Sequence, residues 1–350
     1  MTHIDERQQA PSMPDPGEIF AAFTAFHRTG AFKAAMDLDL FSTIAAGART
    51  VDELAARCGA APRGIRILGD FLVASGFLTK EGAGDAGRYG LTPTTATFLD
   101  RSSPAFMGSA IDFLVAPMML AAFANVTGAV RKGGTVTAQA DVLVPEHPIW
   151  VEFARAMAAP STFIARLLAV LLDAAASPRW KVLDIAAGHG AFGVTLAREN
   201  PNAEIVALDW PNVLAVAAET ARAAGVQDRF RTIAGSAFEV DLGSGYDLVL
   251  LPNFLHHFDV AACERLLRRV HAALAPGGRA VTIEFVPDEG RTTPAVPAAF
   301  ALVMLVTTPA GDAYTFPELE RMFRNVGFAR SELREMPPSF QRAIISYKAP

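Results

Sequence analysis

Residues 182–193 read Val-Leu-Asp-Ile-Ala-Ala-Gly-His-Gly-Ala-Phe-Gly. Val182 to Ala187 is a short apolar run broken only by Asp184, as expected for a strand covered on both faces. Gly188-His-Gly190-Ala-Phe-Gly193 then matches G-x-G-x-x-G. The glycines of such a turn let backbone approach a ligand, and the helix that follows offers unpaired N–H donors. Outward from the turn the pattern keeps alternating. AEIVALD (203–209), FRTIAGS (230–236), YDLVLLPN (246–253) and RAVTIEFV (279–286) read as buried strands, with helical stretches at 211–224 and 260–274. This alternation predicts an α/β fold with a Rossmann-like, doubly wound sheet. Two last strands, roughly 328–336 and 341–348, are joined across Pro337-Pro338, too short a link for a crossover, so that pair is expected to be antiparallel.

The acids around the turn narrow what it binds. Asp209 closes the second strand, 21 residues after Gly188, where it can hold two ribose hydroxyls. A nicotinamide dinucleotide and a methyl donor both fit that much. Asp184, inside the first strand, separates them: it would repel a pyrophosphate but suits a cation. S-adenosylmethionine carries an ammonium and a sulfonium, so it is the expected cofactor. Leu274-Ala-Pro-Gly-Gly278, leading into the fifth strand, agrees.

The N-terminal third is helical and punctuated. Ile19, Phe20, Phe23 and Phe26 share one helix face, expected to stop near Gly30. Thr50-Val-Asp-Glu53 is a capping box, and Pro62 opens the next helix, ended by Gly76. Phe77-Leu-Thr79 and Arg88-Tyr-Gly-Leu91 flank a glycine-rich tip and read as a β-hairpin, after which Thr92-Pro93 restarts a helix. Together these elements describe a winged helix-turn-helix. Residues 1–100 hold nine Lys and Arg against twelve Asp and Glu, the wrong balance for phosphate contacts. A packing or dimerisation module is expected instead of a DNA-binding one, which also argues against a metabolite-sensing regulator.

With this sheet, helical linker (101–177) and winged helix, the chain resembles the class I S-adenosylmethionine-dependent small-molecule O-methyltransferases of plants and bacteria. These are the caffeate, acetylserotonin and polyketide-tailoring types, and the similarity spans about residues 18–348. The chain is expected to have a disordered tail over 1–17, and the resemblance implies a winged-helix dimerisation domain over 18–100, a helical linker with pocket helices over 101–177 and a catalytic domain over 178–350. It implies a seven-stranded sheet, a homodimer formed through the N-terminal domain, a small-molecule acceptor, and neither nucleic acid nor membrane as partner. Asp209 would hold the ribose and Ser161 the cofactor carboxylate, with Ala237 and Phe238 flanking the adenine. Asp184, Ala186, Gly188, Gly190, Trp210, Ser236 and Asn253 complete the expected cofactor site. Ala186 stands where the family has its first glycine, a change of little cost if its φ is negative. Ser236 replaces the acid that usually meets the adenine amine.

The chemistry is expected after the fourth strand, at Leu255-His-His-Phe-Asp259. In the family this stretch is LH-x-W and its histidine is the general base, which falls on His256. A phenol with a pKa near 10 is mostly protonated at neutral pH, so a base near 6.5 helps methyl transfer. Phenolate and sulfonium neutralise each other in the transition state, which a dry, apolar pocket favours. Glu284 matches the first carboxylate that orients the histidine. The second position is Ala313, and Asp312, one residue earlier, is the candidate substitute. His257 lies next in line for the acceptor pocket, or for a hydrogen bond to Asp259 at the following helix start. Met157 and Met304 match positions that sandwich a planar ring, with Phe153 and Phe300 beside them. No acid cluster for a catechol-type metal follows the strand, so a metal-independent reaction on an aromatic or polyketide-like hydroxyl is expected. N- or C-methylation on the same scaffold stays open. So does a diverged member performing cyclisation, decarboxylation or hydroxylation, because of Ser236 and Ala313.

Composition fits this picture. The chain is 51% hydrophobic and only 19% charged, with a net charge of −5, which excludes a disordered protein. The longest apolar run, Phe113 to Ala124, is too short to span a bilayer and contains Pro117. The first twenty residues lack a signal-peptide pattern. Two cysteines, Cys58 and Cys263, cannot form a disulfide framework, which points to a reducing, cytoplasmic setting. The apolar excess is therefore expected in a subunit interface and a substrate pocket.

Overall fold

In the computed structural model, residues 15–136 and 148–350 are described, and they form two compact units that divide between Ser103 and Pro104. Of the disordered tail expected over 1–17, residues 1–14 lie outside the described ones, and its last residue, Gly17, already begins a helix.

The first unit contains α1 (Gly17–Phe23), α2 (Ala25–Asp37), α3 (Leu40–Ala45), α4 (Val51–Cys58) and α5 (Pro62–Ala74). The hairpin strands β1 (Leu78–Glu81) and β2 (Arg88–Leu91) follow, then α6 (Pro93–Phe98). The capping box forms as read, with Glu53 N–H bonded to Thr50 Oγ1 and Thr50 N–H to Glu53 Oε2. β1 and β2 pair antiparallel with Leu78 opposite Leu91, which completes the wing. The first helix does not stop at Gly30: the chain breaks at Thr24, and α2 then runs through Gly30 to Asp37. Ala35 and Met36 are buried beyond it, and their packing outweighs the roughly 1 kcal/mol that a helical glycine costs. Ile19, Phe20, Phe23 and Phe26 remain 60–73% exposed in the single chain. Arg66 and Lys80 are both ion-paired with Asp70, which further reduces the basic character of the wing.

The second unit opens with α7 (Ala110–Leu114), α8 (Pro117–Ala124), α9 (Val126–Lys132), α10 (Pro148–Ala156) and α11 (Ala158–Leu171). Then come β3 (Lys181–Ile185), α12 (Ala191–Glu199), β4 (Glu204–Asp209), α13 (Pro211–Ala223), β5 (Phe230–Ala234) and β6 (Tyr246–Pro252). The chain ends with α14 (Val260–Ala273), β7 (Leu274–Glu284), α15 (Ala295–Thr307), α16 (Phe316–Asn325), β8 (Arg330–Glu335) and β9 (Arg342–Tyr347). The seven strands lie in the order β5-β4-β3-β6-β7-β9-β8. β9 runs antiparallel to both neighbours, so the final pair is antiparallel as its short link requires. β7 starts at Leu274, earlier than expected, because Leu274 pairs with Tyr246 beyond a register shift.

Side chains alternate across the sheet into two cores. Val182, Leu248 and Leu250 pack with Leu168 of α11 and Leu196 of α12. Leu183, Val249 and Leu251 pack on the other face with Leu266 of α14 and Phe323 of α16. This sandwich fixes the carboxyl ends of β3, β4, β6 and β7 along one edge, the edge where doubly wound sheets place their chemistry. Among the described residues no single helix is long and apolar enough to cross a membrane, and the apolar pair α10–α11 is bent by 63°.

Candidate active site

The turn after β3 is built by two carboxylates and one imidazole. Asp184 is fully buried, and its Oδ2 accepts the Gly193 N–H at 2.9 Å. Its Oδ1 has no partner. A buried carboxylate oxygen without a donor is costly, and burial, reinforced by the charge of Asp209, raises Asp184 to about 7. Asp209 bonds the Gly188 N–H at 2.8 Å and the Trp210 N–H at 2.7 Å, and burial raises it to about 6. Both groups therefore favour a cation nearby. Gly188, at φ +59°, has open space where a side chain would stand, so a ligand can approach its backbone closely.

Ala186 departs from expectation. Its φ is +54°, so the missing glycine does carry a cost, about 1–2 kcal/mol for a non-glycine residue in the left-handed region. Asn253 also has positive φ, +54°, and its side-chain oxygen accepts from Gln341 Nε2. Ser236 Oγ accepts the Phe238 N–H at 3.2 Å, shaping the turn that carries Ala237 and Phe238. Arg269 donates to the carbonyls of Phe238 and Val240 and anchors the same loop.

The catalytic candidates meet at the ends of β6 and β7. His256, buried in a one-turn 3-10 segment after β6, has its Nδ1 2.5 Å from Glu284 Oε2. Glu284 Oε1 accepts the Phe254 and Leu255 N–H groups at 3.2 and 3.0 Å. A carboxylate so engaged acts as an acceptor for Nδ1–H, which leaves Nε2 as the imidazole's acceptor nitrogen. Gly311 is required beside it, since a Cβ there would lie 2.2 Å from the His256 carbonyl oxygen.

Asp312 sits differently from the role expected of it. Its backbone N–H donates to the His256 carbonyl at 3.0 Å, but its carboxylate bonds Arg291 at 3.1 Å and the Ala313 N–H at 2.8 Å. Ala313 itself is buried. Asp259 caps α14 through the Ala262 N–H. His257 packs against the His256 ring at 4.4 Å and Trp150 at 6.0 Å, and burial together with His256 pushes its ionisation well below the usual histidine range.

Aromatic rings form the surroundings. Phe300 lies 4.8 Å from His256 edge-on and stacks on Phe285 at 3.8 Å. Phe153 contacts Trp150 and Phe113 at 5.9 and 4.9 Å. Met304, one turn beyond Phe300, is buried, and Met157 joins α10 to α11. Ser161 lies in the first turn of α11, with its N–H on the Met157 carbonyl. Phe285, Trp150 and Phe113 were not singled out from the sequence. Phe285 carried a usable signal, an aromatic residue directly after the acid that ends β7. Among the described residues no three His, Cys, Asp or Glu side chains gather as metal ligands would.

The buried His256–Glu284 pair thus stands at the ends of β6 and β7, and a glycine turn with two buried carboxylates follows β3. The O-methyltransferase domain model matches residues 124–329, and the O-methyltransferase dimerisation domain model matches residues 20–101. The chain belongs to the O-methyltransferase family. Among its relatives is the tetracenomycin polyketide synthesis 8-O-methyl transferase TcmO of Streptomyces glaucescens, 30% identical over 89% of this chain and 91% of TcmO. The 3-hydroxy-5-methyl-1-naphthoate 3-O-methyltransferase of Streptomyces sahachiroi is also 30% identical, over 91% of this chain and 90% of that protein. The crystal structure of a proposed O-methyltransferase from Nostoc punctiforme is 50% identical, with a TM-score of 0.87 over 96% of this chain and all of that one. This O-methyltransferase takes its methyl group from S-adenosylmethionine. The residues present fit that cofactor: the partnerless Asp184 Oδ1, the raised carboxylates and the open face of Gly188 all call for a cationic ligand at the turn.

Proposed function

We propose that this O-methyltransferase methylates a hydroxyl of a small aromatic or polyketide-like acceptor, with His256 as general base and without a metal ion. The observation that carries this reading is the His256 Nδ1–Glu284 contact at 2.5 Å, with the carboxylate steadied by two backbone N–H groups. Bound S-adenosylmethionine supplies an electrophilic methyl on a sulfonium. Asp184, Ala186, Gly188, Gly190 and Asp209 would hold it at the turn, with Ser161, Trp210, Ser236, Ala237, Phe238 and Asn253 around it. His256 takes the acceptor's proton at Nε2, and Glu284 stabilises the imidazolium so formed. Phe153, Met157, His257, Phe300 and Met304 exclude water and keep a flat ring in place. A neutral His257 adds no second positive charge beside the base.

The purified protein tests this directly. His256→Ala is expected to lose about 10²–10⁴ in turnover of a phenolic acceptor while binding S-adenosylhomocysteine like the unaltered chain. Undiminished turnover overturns the base assignment. The naphthoate and polyketide acceptors named for the two Streptomyces relatives make hydroxynaphthoates and polycyclic phenols the first compounds to try.

A homodimer formed through the N-terminal unit accounts for the exposed face of Ile19, Phe20, Phe23 and Phe26. Four large apolar side chains exposed on two successive helices are surface of the kind that a second copy covers.

A further inference from the structure

His189, the residue between the two glycines of the turn, is buried and hydrogen-bonded at both ring nitrogens. Nδ1 lies 3.0 Å from the Ala191 N–H, the first residue of α12, and a backbone N–H can only donate. The ring proton must therefore sit on Nε2. Nε2 is 3.2 Å from the Met157 carbonyl, which can only accept, so the two bonds agree on one neutral tautomer. Burial lowers the ring's ionisation below the ordinary histidine value, in keeping with that state.

Met157 is the joint of the bent pair α10–α11. The bend has a local cause. Pro160 has no N–H to continue the helix onto the Ala156 carbonyl, and Ser109 Oγ donates there instead at 2.7 Å. The next carbonyl, that of Met157, accepts both the Ser161 N–H at 2.9 Å and the His189 ring. On one side of the joint α10 carries Trp150 and Phe153 of the aromatic surroundings. On the other, α11 begins with Ser161. One imidazole thus connects the N-terminus of the helix after the cofactor turn to the elbow on which the acceptor pocket is built.

We propose that His189 is a positioning residue that ties the cofactor turn to the acceptor-pocket elbow, Nδ1 serving the turn and Nε2 serving the elbow. The assignment of the two sides to cofactor and acceptor rests on the methyltransferase reading above, but the test uses neither acceptor nor turnover, so failure of one is distinguishable from failure of the other. The two bonds can be separated by side-chain length. Asparagine can place an acceptor near the Nδ1 position but cannot reach Met157. Glutamine can place its amide donor near the Nε2 position but gives up the cap on Ala191.

Hydrogen–deuterium exchange of the full-length protein, with calorimetric titration of S-adenosylhomocysteine, reads both sides. His189→Asn is expected to speed exchange of the elbow amides of 157–159 and 161–163 about fivefold, the usual scale for losing one neutral hydrogen bond, and to leave ligand affinity and the first turn of α12 unchanged. His189→Gln is expected to do the reverse, weakening ligand binding about fivefold with the elbow unchanged. That crossed pattern establishes the two-sided role. Parallel behaviour, in which both variants disturb both readouts or neither disturbs either, overturns it and leaves His189 as packing alone.

Discussion

Asp184→Asn opposes stability and cofactor affinity in one substitution. Asp184 is fully buried, bonded through Oδ2 to the Gly193 N–H and partnerless at Oδ1, and its ionisation stands at about 7 against an ordinary 3.8. The folded cofactor-free protein therefore prefers the protonated acid. Its contribution to stability is full below about pH 4 and is lost as pH rises through about 7. At about 1.4 kcal/mol per unit, the cost of ionising it at pH 8 comes to about 4 kcal/mol. An asparagine does not ionise and accepts the Gly193 N–H much as the protonated acid does, and that cost is already net of the carboxylate's bond to Gly193. The cofactor-free variant is thus expected to be about 4 kcal/mol more stable at pH 8, a rise in melting temperature of roughly 6 °C. At pH 4 the two proteins should melt alike. Affinity for S-adenosylhomocysteine should move the other way, because the variant loses a charge-assisted bond to the ligand's ammonium group. Such a bond contributes about 1.5–3 kcal/mol, or about 10- to 100-fold in Kd. Calorimetric titration and thermal melts of the same samples at pH 4, 6 and 8 measure both. Unchanged affinity at pH 8 would refute the claim that the partnerless oxygen awaits a cation, and a melting temperature that falls would refute the burial argument.

Other outcomes follow from single residues. Ala186→Gly should relieve about 1–2 kcal/mol of left-handed strain and return part of it as unfolded-chain entropy, a net gain of about 0.5–1 kcal/mol. Chemical denaturation checks the sign, and a loss would mean that the Ala186 methyl packs usefully. Asp312→Asn should leave turnover within about twofold, since it alters a half-exposed contact with Arg291 of the kind that contributes little. A hundredfold fall would return Asp312 to the catalytic group. Phe20→Glu combined with Phe23→Glu should convert a dimer to a monomer in light scattering, and a dimer that persists would place the interface elsewhere.

The sheet was legible because its strands obey the two-sided burial rule. Val182 to Ile185 and Leu248 to Leu251 are apolar at every position except Asp184, and an acid in such a run survives only if something binds it. The His256–Glu284 pair was legible through the family resemblance of Leu255-His256 and of the acid that ends β7, and the structure brings the two side chains into contact. What escaped depends on backbone direction rather than residue type. The sign of φ at Ala186 is set by the strand-to-helix turn, and nothing in the letters Ile-Ala-Ala-Gly shows it. Asp312 and Ala313 are neighbours, yet Ala313 is buried while the Asp312 side chain is partly exposed. There the Asp312 carboxylate meets Arg291, itself at a φ of +56°. His189 was hidden for a related reason. A position between two glycines reads as free to vary, and its meaning arises only when α12 and the α10–α11 elbow approach from distant parts of the chain. The sequence rules therefore recover groups held by regular pairing. They miss groups held by the turns between, and in this protein those turns carry the left-handed Ala186 and the two ring bonds of His189.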